Sequence, residues 1–325
     1  MKKRILIPET DLSVYPLGFG TVDAGIKWDG EKADQIIGSY LELGGNVIDT
    51  AHVYSDWIPP ERCRSERVIG DWLARSGKRN EIVLMTKGGH PETVGPGADN
   101  HISRMTREDM VGDLDGSLLK LRTDHIDVYF YHRDDLRILV EETIEVMQDF
   151  VRQGKIRYYA CSNWSAERMR QARAYCQEKG YRGFVADQSL FNLGMKYMNP
   201  MADDTLGYTN DEEYQYHAEH TEHLLIPYTG NCSGFFQKYA KGGEAAVQEN
   251  PYYTRKNVEA AKRVAAIAEK YHCSVTQVVL GFFFHQPFIC MPLFAASSPE
   301  HVRDCCQTIE VPFTDEDYKW ILDIK

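Results

Sequence analysis

The chain has 325 residues, 37 of them Lys or Arg and 48 Asp or Glu, for a net charge of −11. That balance argues against nonspecific nucleic-acid or anionic-membrane binding, because both attract basic surfaces; a local basic pocket for a phosphate stays open. The length suits two average domains or one α/β barrel with a large core, and no apolar run reaches the length of a bilayer span.

The start, Met1-Lys2-Lys3-Arg4-Ile5-Leu6-Ile7-Pro8, is basic, but its apolar part is too short for a signal peptide, so a cytoplasmic location is expected. Short β-rich runs follow at 16–21, 46–49, 82–86, 126–131, 157–161, 184–187, 224–228 and 289–293. Helical patterns fall near 31–43, 65–76, 107–121, 138–153, 166–179, 212–222 and 255–285, with 299–307 and 314–323 at the end. Thr106 and Ser165 are expected to cap helix starts, and Gly154 and Gly180 to sit at helix ends, where a left-handed residue is needed. Irregular stretches at 88–105 and 189–212 each follow a strand. They would overhang the strand ends and shape a pocket.

Eight strands alternating with helices predict an α/β fold, a (β/α)8 TIM barrel with long loops at its C-terminal face, as one domain over 1–325. A doubly wound sheet has the same alternation. It is weakened as a dinucleotide-binding fold because Gly-x-Gly-x-x-Gly is missing; Gly18-Phe19-Gly20-Thr21 breaks the spacing. The eight cysteines form no Cys-x-x-Cys pair, so reduced thiols and no metal are expected, with Cys305-Cys306 a buried pair.

Four polar residues follow or close the apolar runs: Asp49 and Tyr54 after the second, Lys87 after the third, His132 after the fourth. In a parallel barrel such positions converge on one mouth. A free phenol titrates near ~10 and is a reluctant acid at neutral pH. A lysine ammonium beside it stabilises the phenolate and is expected to lower that value, an aspartate can hold the lysine, and a histidine can orient a carbonyl. The set suits protonating a carbonyl while a hydride arrives from a nicotinamide or a flavin, since no side chain donates hydride.

The chain resembles the aldo-keto reductases. The resemblance rests on Leu17-Gly18-Phe19-Gly20-Thr21, Asp49-Thr50-Ala51-His52-Val53-Tyr54, Ser65-Glu66-Arg67-Val68-Ile69-Gly70, Thr86-Lys87-Gly88, Ile126 through His132, Gly154-Lys155-Ile156-Arg157, Cys161-Ser162-Asn163, Gln188 and Tyr228. It covers nearly the whole chain, in order. It implies a barrel that binds NADPH or NADH without a Rossmann fold. Tyr54 would be general acid/base, Lys87 its activator, Asp49 the partner of Lys87, and His132 the carbonyl-orienting group. It further implies that Ser162, Asn163 and Gln188 hold the nicotinamide carboxamide and that Tyr228 stacks on the ring. Gly20, Thr21 and Asp49 join the cofactor contacts, as do Thr229, Gly230, Asn231 and Gly234, whose small residues admit a pyrophosphate. At the adenosine end the expected contacts are Ser297, Ser298, His301, Asp304 and Cys305. The chain departs from the family there: alanine (Ala295 or Ala296) replaces the usual cation, and Asp304-Cys305 replaces Glu-Asn. Without a fixed cation a 2′-phosphate loses a charge-assisted contact, so weak NADPH discrimination and use of NADH are expected.

His52, Trp57, His90, Trp164 and Phe191 are the expected pocket walls. Their mix of aromatic faces and polar groups points to a small-molecule carbonyl or polyol, sugar-derived, with no nucleic-acid or membrane partner. Two other classes share parts of this pattern. A nicotinamide-binding, redox-sensing regulatory subunit would keep the four residues with little turnover. A cofactor-retaining sugar isomerase or epimerase would use strand-end acids and bases.

Overall fold

The computed structural model describes residues 4–323. Met1-Lys2-Lys3 of the basic start and the last two residues of the expected 1–325 domain lie outside the described residues. An antiparallel hairpin, β1 (Ile5–Leu6) and β2 (Ser13–Val14), comes first; the residue pattern did not signal it. Eight strands then form one sheet: β3 (Gly18–Gly20), β4 (Val47–Asp49), β5 (Val83–Gly88), β6 (Ile126–Tyr131), β7 (Ile156–Ser162), β8 (Ala186–Gln188), β9 (Leu224–Leu225) and β10 (Leu293–Phe294). Neighbours run in the order β10-β3-β4-β5-β6-β7-β8-β9, every pair parallel.

Helices connect them. They are α1 (Gly30–Glu42), α2 (Arg64–Ser76), α3 (Arg107–Leu121), α4 (Val140–Arg152), α5 (Ala166–Lys179), α6 (Asp211–Glu219), α7 (Phe235–Gly242), α8 (Arg255–Tyr271), α9 (Val275–Gly281), α10 (Pro299–Gln307) and α11 (Asp315–Ile321). The expected caps are present: Thr106 Oγ1 accepts from the Asp109 amide, Ser165 Oγ from that of Arg168, and Gly180 ends α5 at φ 70. The helix expected over 255–285 is instead two. His272 turns left-handed at φ 51, and Ser274 with Gln277 forms a capping box that starts α9.

Strand side chains alternate between two apolar clusters, as a period of two requires. On β6, Tyr129 and Tyr131 pack outward under the helices, while Val128 and Phe130 face inward. The inner cluster joins Val47, Met85, Phe130, Ala160, Ala186, Leu224 and Met291, drawn from the whole width of the sheet. Such residues meet only if the sheet curls. The Leu225 amide donates to Ile289 O, Met291 to Leu225 O and Leu293 to Pro227 O, so β9 is bonded to the segment entering β10. The hairpin lies against the strands' N-terminal ends, where Asp11 accepts from Arg157 at the start of β7. The opposite ends are left for the loops.

Candidate active site

Asp49 closes β4, Lys87 lies near the end of β5, and His132 follows β6 directly. Parallel register brings these ends side by side, and all three residues line one cavity of about 700 Å³ with Tyr54. Lys87 is 1% exposed, and its Nζ donates to Asp49 Oδ1 (2.8 Å), to the Thr50 carbonyl (2.7 Å) and to Tyr54 Oη (3.2 Å). Its three N–H groups are thereby assigned. The second Asp49 oxygen accepts from Gln188 Nε2 at 2.7 Å. Thr21 lies beneath: its hydroxyl donates to the Asp49 carbonyl, so Thr21 supports the acid from outside the cavity.

Burial raises the Tyr54 phenol. Lys87 pulls it back, as the sequence suggested, but the balance still leaves it above its ordinary value of 10.0. Tyr54 is therefore a protonated phenol at neutral pH, beside a donor able to stabilise its conjugate base. Burial also lowers Lys87, yet the Asp49 carboxylate and Tyr54 outweigh it and hold the ammonium charged. His132 is held well below its usual value by burial first, then by His90, Arg133 and Lys87, so it is neutral. Its Nδ1 is sealed and has no hydrogen-bond partner. Nε2 is thus the nitrogen left to meet a ligand, and the neutral ring can present an N–H there.

A nicotinamide carboxamide needs one donor for its oxygen and one acceptor for its N–H groups. Ser162 Oγ accepts from Asn163 Nδ2, which leaves its own O–H to give. Gln188 commits Nε2 to Asp49, which leaves its amide oxygen to accept. The site fits the carboxamide on these two residues. Asn163 differs from expectation. Its Nδ2 donates to His132 O and Ser162 Oγ, and its Oδ1 accepts from the Gly207 amide and the Tyr228 hydroxyl. With both ends engaged, it positions Ser162 and fixes the plane of the Tyr228 ring, which faces the cavity.

Gly20, Thr229, Gly230, Asn231 and Gly234 all line the cavity. Thr229, Ser233 and Gly234 have φ of 57, 52 and 73, a run of left-handed turns leading into α7, within which the Cys232 and Gly234 amides donate to Thr229 O and Asn231 O. The adenosine-end residues lie outside the cavity lining. Ser298 caps α10 and His301 is exposed beside it. Asp304 accepts from Gln277, and Cys305 is buried in the outer core, so the latter two are engaged by the protein itself.

Of the five expected walls, Trp57 and His90 line the cavity. Trp164 is buried with its indole N–H on the Arg133 carbonyl, and Phe191 packs among Phe282, Phe283 and Phe288. His52 turns away into a cluster with Cys63, Glu66 and Asp113, which raises its imidazole to about 11 even though burial opposes this. Sequence reading missed Arg133, which lines the cavity and ties Thr205 and Asp203 to the His132 carbonyl. Its place directly after a strand-end histidine was the available signal. Both long loops do reach the cavity, through Thr93 and Asn100 and through Asp203 and Leu206.

A model of the aldo/keto reductase family matches residues 16–325. An aryl-alcohol dehydrogenase of Pestalotiopsis microspora is 25% identical over 98% of this chain and 81% of its own length. An aryl-alcohol dehydrogenase [NADP(+)] of Phanerodontia chrysosporium is 24% identical over 99% of this chain and 85% of its own. Norsolorinic acid reductase B of Aspergillus parasiticus is 31% identical over 59% of this chain and 51% of its own.

Proposed function

The chain belongs to the aldo/keto reductase family, and from that premise we propose that it reduces an aryl aldehyde or ketone to the alcohol, with Tyr54 protonating the carbonyl oxygen. It is an NAD(P)-dependent oxidoreductase acting on carbonyl groups, with NADPH or NADH as cofactor. We read the curled sheet as a closed (β/α)8 barrel, supported by the three backbone hydrogen bonds between the β9 region and the segment entering β10.

The observation that carries the reading is the Lys87 ammonium, 3.2 Å from Tyr54 Oη and 2.8 Å from Asp49 Oδ1, at the floor of the cavity. When bound, the reduced nicotinamide supplies the hydride. Ser162 and Gln188 would hold its carboxamide, Tyr228 would lie against the ring, and the 229–234 backbone would receive the pyrophosphate ahead of α7. Neutral His132 would donate to the substrate oxygen and orient it. Tyr54 then passes its proton to that oxygen, and Lys87 stabilises the phenolate left behind. In the reverse direction the phenolate accepts the alcohol proton.

The aryl reading is favoured over the sugar-derived one. Trp164, Phe191 and His52, three of the walls that suggested a polyol, turn away from the cavity. Trp57, 43% exposed, and the His90 ring remain to flank a flat substrate. Relatives whose names specify aryl alcohols agree with this choice. The test is turnover of reduced cofactor with aryl aldehydes, aryl ketones and keto-sugars. Tyr54→Phe should lower kcat by roughly 10²–10⁴-fold with cofactor binding retained. Near-normal turnover in that variant would remove Tyr54 from its role. Faster turnover of keto-sugars than of any aryl carbonyl would reverse the substrate assignment, and cofactor binding with no turnover at all would favour a sensor.

A further inference from the structure

The cluster that draws His52 out of the cavity has the make-up of a metal site. His52 precedes Tyr54 by two residues, Cys63 stands at the N-cap of α2, and Glu66 lies in that helix's first turn. One ligand atom from each falls within 4.8 Å of the others. His52 Nδ1 is 3.6 Å from Cys63 Sγ and 3.3 Å from Glu66 Oε2. A tetrahedral ion with bonds of ~2.0–2.1 Å to nitrogen, ~2.0–2.2 Å to oxygen and ~2.3 Å to sulfur spaces its neighbouring ligands about 3.3–3.6 Å apart. Two of the three edges already have that length.

The surroundings are those a bound cation uses. Glu66 is 0% exposed, and among the described residues its Oε2 has no hydrogen-bond partner of good geometry; it faces the His52 imidazole. Thr86 Oγ1 donates to the other oxygen, Oε1, at 2.6 Å and so fixes the carboxylate's direction. The second imidazole nitrogen, Nε2, lies 3.7 Å from Asp113 Oδ1, the carboxylate contact that commonly orients a metal-bound histidine. Asp113 is in turn held by Arg104 and by the Gly89 amide. Binding displaces the extra proton of the imidazolium and the Cys63 thiol proton to solvent, and two contacts must rearrange: Nε2 lies 3.3 Å from Cys63 Sγ, and Ser117 Oγ lies 3.2 Å from Nδ1. Ser117 or a water completes the fourth position. The His52 side chain is 21% exposed, which gives an ion a route from solvent.

We propose that His52, Cys63 and Glu66 bind a borderline divalent cation of the Zn²⁺ type, with Asp113 orienting the imidazole. Thiolate, imidazole and carboxylate together suit zinc better than the oxygen-seeking Mg²⁺ or Ca²⁺. The ion joins both ends of the 52–63 segment, which carries Tyr54 and Trp57, and so fixes that segment against α2. The spacing of cysteines could not show this site, because it holds a single thiol and its ligands meet only across the loop.

Cobalt(II) titrated into the chelator-treated full chain reads the site directly. One equivalent should bind and give a thiolate-to-cobalt charge-transfer band with tetrahedral visible bands, and added zinc should displace it. Cys63→Ser and His52→Gln should lose the charge-transfer band, and Cys273→Ser, altering a thiol elsewhere, should keep it. No band at saturating cobalt overturns the proposal, as does a band unchanged in folded Cys63→Ser. The unmodified chain gives an independent reading, in case a variant fails to fold. Zinc should slow alkylation of Cys63 and leave that of Cys273 unchanged; equal labelling of Cys63 with and without zinc overturns the site.

Discussion

Lys87 commits every N–H it has to Asp49, Thr50 and Tyr54 inside a nearly closed environment. Its removal has two separable effects. The Tyr54 phenolate loses the charge that stabilises it, and Asp49 becomes a buried carboxylate held by Gln188 alone. Breaking one side of a buried pair costs ~3–5 kcal/mol, largely because the other charge stays unpaired. Lys87→Met is therefore expected to cost about that much stability in urea unfolding and to lower kcat by roughly 10²–10⁴-fold. The double variant Lys87→Met/Asp49→Asn should recover much of the stability and none of the activity. If activity returned along with stability, the role of Lys87 would be structural. The four strand-end residues were legible in the sequence because a parallel strand delivers its last side chains to one rim wherever its neighbours lie. His52, Trp164 and Phe191 were not. Whether a side chain beyond a strand turns into the cavity or behind it depends on partners such as Glu66, Arg133 and Phe282, which are distant in sequence.

Helix α10 sets the cofactor question at the scale of an element. Its first turn offers the Ser298 cap, a Pro at N1 and exposed His301, while Arg303 is paired with Glu300. The helix N-terminus can attract an anion through its free amides. It presents no unpaired, fixed cation to discriminate a 2′-phosphate from a hydroxyl. The expected result is dissociation constants for NADPH and NADH within about tenfold, ~1.4 kcal/mol, by fluorescence titration. A NADPH preference of several hundredfold would place a phosphate-binding cation elsewhere. Legibility at this scale followed local chemistry. α3, α5 and α10 matched their expected bounds because caps and apolar faces lie within the segment. The break between α8 and α9 was written in Ser274-x-x-Gln277, but no Gly or Pro stands there to mark it. The hairpin and α7 left weak patterns: the strands are two residues long, and the helix follows a run of left-handed turns.

Across the whole molecule, burial holds several histidines neutral at once. His90 is lowered to about 4 and His223 to about 3, each chiefly by desolvation, and His132 lies well below 6.5. His90 and His132 touch at the cavity, with ring centroids 4.6 Å apart, and titrate as a coupled pair; His223 lies elsewhere, next to β9 beside His217, so its effect should add to theirs. All three have folded values below the 6.5 of an unfolded histidine. Below pH 6.5 the unfolded chain takes up protons that the folded chain refuses, so stability is full above that pH and is lost as pH falls toward 4 and 3. The slope is about 1.4 kcal/mol per pH unit for each such group. His223 alone then accounts for a loss on the order of 3 kcal/mol by pH 4. Its imidazole is buried against the Ala186 backbone and makes no side-chain hydrogen bond among the described residues, so an apolar residue of similar size forfeits little there. Urea unfolding of His223→Leu between pH 7 and pH 4 should therefore show a shallower loss of stability than the parent chain, with the two converging toward neutral pH. Parallel curves for the two proteins would mean that His223 takes up its proton without opening the fold, and the acid sensitivity would have to reside in the cavity histidines.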